Sequence, residues 1–221
     1  MYELHLPVRR TARVVVAGET SAAVRQVWIA CHGYGQLARD FAQGLAGLHA
    51  ADRLIAVPEA LNRYYLNDHG GVHGADHPVG ATWMTREDRQ AEIDDYCGYL
   101  DAVHDHVLGR LERASVSVCA LGFSQGAQTV SRWAARTLRR PDHLVLWGAG
   151  PAQELRPEEV ARAGTRLTLV VGERDGYAVA QILEKLVPEL ERSGVAFTVE
   201  RFAGGHRLDN DVLRRLATQF A

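Results

Sequence analysis

VSVCALGFSQG, residues 116–126, is the stretch that decides the fold. Its first half is apolar and rich in β-branched residues, which is typical of a strand buried on both faces of a parallel sheet. Its second half is a G-x-S-x-G pattern around Ser124, and a helical pattern begins directly after it. The two glycines permit a tight strand-to-helix turn that holds the serine hydroxyl above the end of the strand. The stretch therefore predicts a nucleophilic serine at the carboxyl edge of a parallel sheet.

Apolar runs and helical patterns alternate along the rest of the chain. Apolar periodicity predicts helices over residues 87–112, near 127–138, near 179–190, and after Asp209 or Asn210 as the N-cap. This alternation predicts an α/β fold with a mostly parallel central sheet and helices on both faces. The predicted strands are one or two edge strands in the opening segment around 14–16 and buried strands at 27–31, 54–57, 116–121, 144–147, 167–171 and 197–202.

The composition fits one globular domain over residues 1–221. Hydrophobic residues make up 47% of the chain and charged residues 24%, with no uncharged apolar run near the roughly 20 residues of a membrane helix. The net charge of -2, without a basic block, does not favour nucleic acid or an anionic membrane as a partner. The amino-terminal sequence lacks the apolar stretch of a secretory signal, so we expect a cytoplasmic location. Cys31, Cys97 and Cys119 are widely spaced, which fits neither a disulfide framework nor a zinc ribbon.

Residues 61–84 resist assignment to a helix or strand, and their glycines together with Pro78 predict a long loop. This unassigned segment is therefore the candidate for a lid or a specificity element. His69, His73 and His77 are spaced four apart, as metal ligands on a helix would be, but the intervening glycines favour a solvated loop. Since no other segment could form a cap domain, we expect an open, shallow site.

A serine hydroxyl needs a base to remove its proton and an acid to orient that base. On this fold the expected order along the chain is serine, acid, histidine. His206 follows the last predicted strand and is therefore the expected base. The turn after the preceding strand offers two carboxylates, Glu173 and Asp175. Asp175 is preferred because Gly176 marks a turn beyond it, and Glu173 remains the alternative.

The sequence CHGYGQ, residues 31–36, follows an early strand and precedes a helical pattern. This is where a loop that binds the oxyanion of an acyl-transfer reaction belongs. The expected donors are the backbone N–H groups of Tyr34 and Gln125. His32 is expected to brace this loop rather than to act as the base, because it precedes the serine in the chain.

The motifs HGYGQ, GFSQG, GERDG and GGH, in this order, resemble the phospholipase/carboxylesterase family of α/β-hydrolases, which includes acyl-protein thioesterases and small carboxylesterases. The likeness extends over nearly the whole chain, including WMTREDR at residues 83–89. It implies the α/β-hydrolase fold without a separate cap domain. The catalytic triad that it implies is Ser124, Asp175 and His206, with Tyr34 and Gln125 at the oxyanion hole.

The same resemblance places the segment 61–84 beside the serine. We therefore expect part of this segment to line the pocket for the acyl group. The candidate residues are Tyr64, Tyr65, Trp83 and Met84.

These observations predict a serine carboxylesterase that cleaves esters of small to medium acyl chains through an acyl-enzyme, without a cofactor or metal. The expected partner is a small-molecule ester, with neither nucleic acid binding nor membrane insertion, and a homodimer is left open. One alternative is a thioesterase or lysophospholipase that acts on longer acyl chains. A more remote alternative is a non-catalytic ligand sensor on a hydrolase fold.

Overall fold

The structure is a computed structural model that describes residues 1–66, 76–111, 116–161 and 164–220. Its strands lie close to the predicted apolar runs, because β-branched and apolar side chains fill both faces of a covered sheet. They are β1 (Val14–Ala17), β2 (Gln26–Cys31), β3 (Arg53–Pro58), β4 (Asn62–Tyr65), β5 (Val79–Thr82), β6 (Ser117–Phe123), β7 (His143–Trp147), β8 (Arg166–Gly172) and β9 (Phe197–Phe202).

Seven of these strands form the central sheet in the order β1-β3-β2-β6-β7-β8-β9. Only β1 runs antiparallel to its neighbour, and the remaining pairs are parallel. The carboxyl ends of β2, β6, β7, β8 and β9 therefore meet at one edge of the sheet, where binding sites of parallel sheets form. The mostly parallel sheet that the sequence predicts is confirmed.

Helices cover both faces of this sheet, and short 3-10 and π segments accompany them. A 3-10 turn spans Ala46–Leu48, and a π-helix spans Val179–Leu186. The α-helices are α1 (Ala38–Gln43), α2 (Arg89–Leu108), α3 (Gln125–Arg136), α4 (Pro157–Val160), α5 (Gly176–Ala178), α6 (Val187–Ser193) and α7 (Asn210–Gln219).

Two apolar layers lie on opposite faces of the sheet. One layer packs α2 and α3 against the sheet through side chains such as Tyr96 and Trp133. The other packs α1 and α7 through side chains such as Phe41 and Leu213. In the described ranges no helix is both long and apolar enough to cross a membrane.

The helix ends follow the chemistry of their terminal residues. Asp209 caps α7 by accepting hydrogen bonds from the N–H groups of Asp211 and Val212. Gly194 ends α6 in the left-handed conformation, with φ +72°. Pro188 divides the predicted third helix, since α6 begins beside it after the π-helix.

Two sequence-based expectations need correction. Residues 61–84 are not wholly a loop, because β4 and β5 pair as an antiparallel hairpin at its two ends. The pairing joins residues about 17 apart, and glycine and proline in the intervening sequence concealed it. Leu138, expected on the buried face of a helix, lies beyond the end of α3 and is 90% exposed.

Candidate active site

Ser124 occupies a strained turn between β6 and α3. Its backbone has φ +54° and ψ -119°, a region that non-glycine residues rarely adopt. The Ser124 N–H donates a hydrogen bond to the carbonyl oxygen of Trp147, with 2.8 Å between the two atoms. Gly126, on the first turn of α3, lies so close to the Cys31 carbonyl that a Cβ atom there would overlap it. The turn is therefore held from both neighbouring strands, and strain of this kind is concentrated at functional sites.

Asp175 and His206 meet at the ends of β8 and β9. His206 Nδ1 lies 2.5 Å from Asp175 Oδ2, while Asp175 Oδ1 accepts a hydrogen bond from the Ala178 N–H at 3.1 Å. The Asp175 side chain is buried, whereas Glu173 is exposed. Of the two candidate carboxylates, the structure thus brings Asp175 against the histidine. Because Nδ1 is used in this contact, Nε2 is the nitrogen left for proton transfer.

The imidazole of His206 lies against the turn that also holds Ser124. A Cβ atom on Gly148 would lie 3.0 Å from His206 Cε1, so a side chain there would crowd the ring. The ring centroids of His206 and Phe123 are 4.8 Å apart. The Trp147 carbonyl accepts the Ser124 N–H, and the next residue, Gly148, contacts the His206 imidazole. Ser124 and His206 therefore both lie beside the end of β7.

The loop after β2 approaches the serine from the other side. A Cβ atom on Gly33 would lie 3.2 Å from the Cβ atom of Ser124. Within this loop the Gly35 N–H donates to the carbonyl of Ala81 at 2.9 Å. Among the backbone hydrogen bonds of the described residues, the N–H groups of Tyr34 and Gln125 are not donors. As the first residue of α3, Gln125 has no intrahelical acceptor for its N–H. The N–H groups of Tyr34 and Gln125 are therefore both available to donate hydrogen bonds to an anion.

His32 is a fixed part of this loop. It is fully buried, with Nδ1 2.8 Å from the carbonyl oxygen of Gly33 and Nε2 accepting the Ala60 N–H at 3.0 Å. These partners require the proton on Nδ1. Burial lowers the pKa of His32 below its ordinary value, so the ring stays neutral. The contacts match the expected brace of the loop.

A short segment, residues 81–84, connects the two expected oxyanion donors. Trp83 Nε1 donates to the His32 carbonyl at 2.9 Å. The Gln125 side chain accepts from the Trp83 backbone N–H at 3.2 Å and donates to the Met84 carbonyl at 3.0 Å. We call residues 81–84 the bracket. Only the backbone N–H of Gln125 was predicted to function, and its side-chain role was not foreseen because no local pattern encodes it.

The four expected pocket residues occupy different environments. Trp83 is 1% exposed, and its ring centroid lies 5.2 Å from that of His32, so it packs beneath the oxyanion loop. Met84 is half-buried. The Tyr64 ring lies 5.4 Å from the Tyr34 ring at the edge of the loop, and Tyr65 is largely exposed. Their contact with substrate stays a prediction.

The histidine-rich segment can be followed only in part. His69 and His73 lie outside the described residues, and His77 lies within them. In the residues that the structure does describe, no cluster of three or more His, Cys, Asp or Glu side chains has the arrangement of a metal site.

Two carboxylates anchor the surroundings of the site. Glu59 is fully buried and receives hydrogen bonds from Arg13 at 2.7 Å, from Arg63 at 2.5 Å and from the Ala38 N–H at 3.2 Å. Burial alone would raise the pKa of Glu59, but these donors outweigh burial and lower it. Because Ala38 begins α1, Glu59 fixes the end of the oxyanion loop.

The second anchor is Glu154, after β7. It accepts hydrogen bonds from the buried Arg132 at 2.6 Å and pairs with Arg89 at 2.9 Å. Chiefly through the bond from Arg132, the pKa of Glu154 is lowered to about 2. This pair ties α3 to the turn after β7.

No family model and no curated protein sequence matches the chain. Solved structures do match it over nearly its full length. Esterase PE8 is 20% identical, with a TM-score of 0.64, over 95% of this chain and 98% of its own. A carboxylesterase from Mesorhizobium loti is 18% identical, with a TM-score of 0.64, over 94% and 93% of the two chains. Zea mays acyl-protein thioesterase 2 is 17% identical, with a TM-score of 0.63, over 96% and 100%.

These neighbours agree with the resemblance carried by the sequence motifs. The described residues form the central sheet, its covering helices and the β4–β5 hairpin, with no separate cap domain among them. The chain has the α/β-hydrolase fold, which carboxylesterases and acyl-protein thioesterases share.

Proposed function

We propose that this protein is a serine hydrolase that cleaves carboxylic esters of small to medium acyl chains through an acyl-enzyme. The observation that carries the proposal is the contact between His206 Nδ1 and Asp175 Oδ2, next to a serine in a strained turn. Such an arrangement orients a base toward a hydroxyl at the same sheet edge. The names of the structural neighbours, esterase and carboxylesterase among them, support the same class of chemistry.

The proposed reaction begins when His206 Nε2 takes the proton of the Ser124 hydroxyl and Oγ attacks the ester carbonyl. The N–H groups of Tyr34 and Gln125 then stabilise the oxyanion of the tetrahedral intermediate. Asp175 stabilises the imidazolium, which donates its proton to the leaving alcohol. Water repeats the sequence on the acyl-enzyme and releases the acid. A cytoplasmic location is part of this proposal.

Exposure of the site supports small, varied substrates. The His206 side chain is 42% exposed, so a substrate can reach it directly. A cavity of about 240 Å³ is lined by residues that follow the catalytic turns, and its volume is smaller than the roughly 300 Å³ at which ligand pockets commonly begin. A short acyl group fits this volume better than the long acyl chains on which a lysophospholipase or an acyl-protein thioesterase would act.

The decisive test is the variant Ser124→Ala. We expect hydrolysis of p-nitrophenyl butyrate to fall at least about 10⁴-fold, because no nucleophile remains. Labelling by a fluorophosphonate should disappear with it. The control is Ser193→Ala, since the Ser193 hydroxyl bonds the Leu190 carbonyl at 2.8 Å in α6, away from the catalytic turns.

Two results would contradict the proposal. Residual turnover by Ser124→Ala near the native rate would exclude Ser124 as the nucleophile. Fluorophosphonate labelling of the native protein without turnover of any ester would favour the ligand sensor.

A further inference from the structure

The cavity beside the site is lined by residues that follow each catalytic element. Gln128 lies one helical turn beyond Ser124, about 6 Å along α3. Gly150 follows the turn that contacts His206, and Tyr177 comes two residues after Asp175. The cavity lining thus includes residues that closely follow Ser124, the turn after β7 and Asp175 in the chain.

One wall of the cavity is the π-helix Val179–Leu186. π-helical segments are rare and occur frequently at functional sites. Here the segment directs Gln181 and Lys185, four residues apart, toward the same cavity. The unusual backbone thus coincides with the polar side of the cavity.

Lys185 is the only lysine in a sequence with 25 lysine and arginine residues. Across the described residues its ammonium group has no ion pair or hydrogen bond. By contrast, Arg13, Arg132 and Arg139 are each paired with a carboxylate. The cavity therefore contains an unused positive charge.

The remaining lining completes a binding surface. Leu155, Val160 and Leu190 provide apolar contact for methylene groups. Gln128 and Gln181 add amide donors. Glu189 also lines the cavity, and its carboxylate disfavours more than one negative charge on a ligand.

We propose that this cavity binds the far end of an acyl group that carries a single carboxylate, held by Lys185, so that the preferred substrates are monoesters of short dicarboxylic acids. This inference rests on the proposed serine hydrolase function. The methylene groups lie on the apolar lining, and the ester carbonyl lies at Ser124. A point charge such as an ammonium suits a carboxylate that can rotate in a partly open cavity.

The test compares two esters of the same acyl length, mono-p-nitrophenyl glutarate and p-nitrophenyl valerate. The variant Lys185→Gln should lower kcat/KM for the glutarate ester about tenfold, the loss of one charge-assisted hydrogen bond. Its kcat/KM for the valerate ester should change less than about twofold. Lys185→Arg should retain most of the activity on the glutarate ester.

Glu189→Gln is the matched variant in the same cavity. It removes a negative charge and should raise kcat/KM for the glutarate ester about twofold without changing that for the valerate ester. Equal losses on both esters in Lys185→Gln, or no loss on either, would overturn the inference.

Failure of the proposed function gives a different result. If the native protein hydrolyses neither ester, the serine hydrolase proposal is wrong, and the cavity is then tested by calorimetric titration with glutarate. The native protein and Lys185→Arg should bind glutarate more tightly than Lys185→Gln does. Equal affinities would exclude the carboxylate site itself.

Discussion

On one side of Ser124 the oxyanion loop is held by hydrogen bonds from several directions, whereas the cavity on the other side carries polar side chains that have no partner among the described residues. The side chains of His32, Trp83 and Gln125 have their hydrogen-bonding groups engaged. Lys185, in contrast, is unpaired among the described residues. Groups that act on every ester need a fixed geometry, while groups that recognise one substrate must stay available for it.

The carboxylates that anchor the two sides, Glu59 and Glu154, differ in how far they are buried. Glu59, on the side of the oxyanion loop, is fully buried, while Glu154, on the side of the cavity, is 41% exposed. Removing a buried carboxylate destabilises a fold more than removing an exposed one, because its donors lose an acceptor where water cannot replace it. The loop side is therefore expected to be the more rigid of the two.

The largest expected effect concerns Glu59→Gln. Glutamine at this buried position keeps one acceptor oxygen for the donors of Arg13, Arg63 and Ala38, and we expect the loss of charge-assisted hydrogen bonds to lower the free energy of unfolding by about 3 kcal/mol. Urea denaturation followed by circular dichroism measures this loss. Glu154→Gln is the matched variant on the cavity side and should cost less, because an amide oxygen can still accept from Arg132, which also donates to the Tyr96 hydroxyl at 3.2 Å. Equal costs for the two variants would show that the two sides are anchored alike.

A smaller effect is expected for Trp83→Phe, which keeps the ring but removes the hydrogen bond to the His32 carbonyl. We expect kcat to fall about tenfold with KM nearly unchanged, because the Tyr34 N–H shifts relative to the oxyanion. The matched control is Trp133→Phe, which removes a similar buried bond from Nε1 to Asp101 at 2.8 Å. If Trp133→Phe lowers kcat as much as Trp83→Phe does, the bracket has no special effect on catalysis.

The smallest effect concerns pH. The folded-state pKa of Glu154 is lowered to about 2, so its contribution to stability is present above its unfolded pKa and is lost as the pH falls toward 2. The free energy of unfolding of the native protein should therefore decline below about pH 4.5. Glu154→Gln should show a shallower decline in acid denaturation curves. Identical slopes would mean that the Arg132 pair contributes nothing to stability.

The catalytic geometry was the easier part to predict. Strand and helix periodicity predicted β6, β8 and β9. The expected order of serine, acid and histidine then indicated His206 and the two carboxylates after β8. The choice of Asp175 over Glu173 rested on a turn, and the contact with His206 supports that choice. The β4–β5 hairpin was missed because Gly80 and Pro78 interrupt its pattern.

The surroundings of the site could not be predicted in the same way. Trp83 was expected at the acyl pocket, which stays a prediction, and the burial of its ring against His32, a residue 51 positions earlier in the chain, was not foreseen. The cavity joins the turn after β7 to the π-helix, and no motif marks either of them. The candidate specificity element, residues 61–84, contributes none of the cavity lining among its described residues.

The sequence by itself determined the alternation of strands and helices, the strained turn at Ser124 and the order of the candidate catalytic residues. These features depend on side-chain periodicity and on residues close together in the chain, which act through local backbone conformation. The tertiary structure alone decided how the bracket joins the two oxyanion donors and where an unpaired Lys185 faces a cavity. Those features depend on contacts between distant segments, which form only when the sheet brings the carboxyl ends of its strands together.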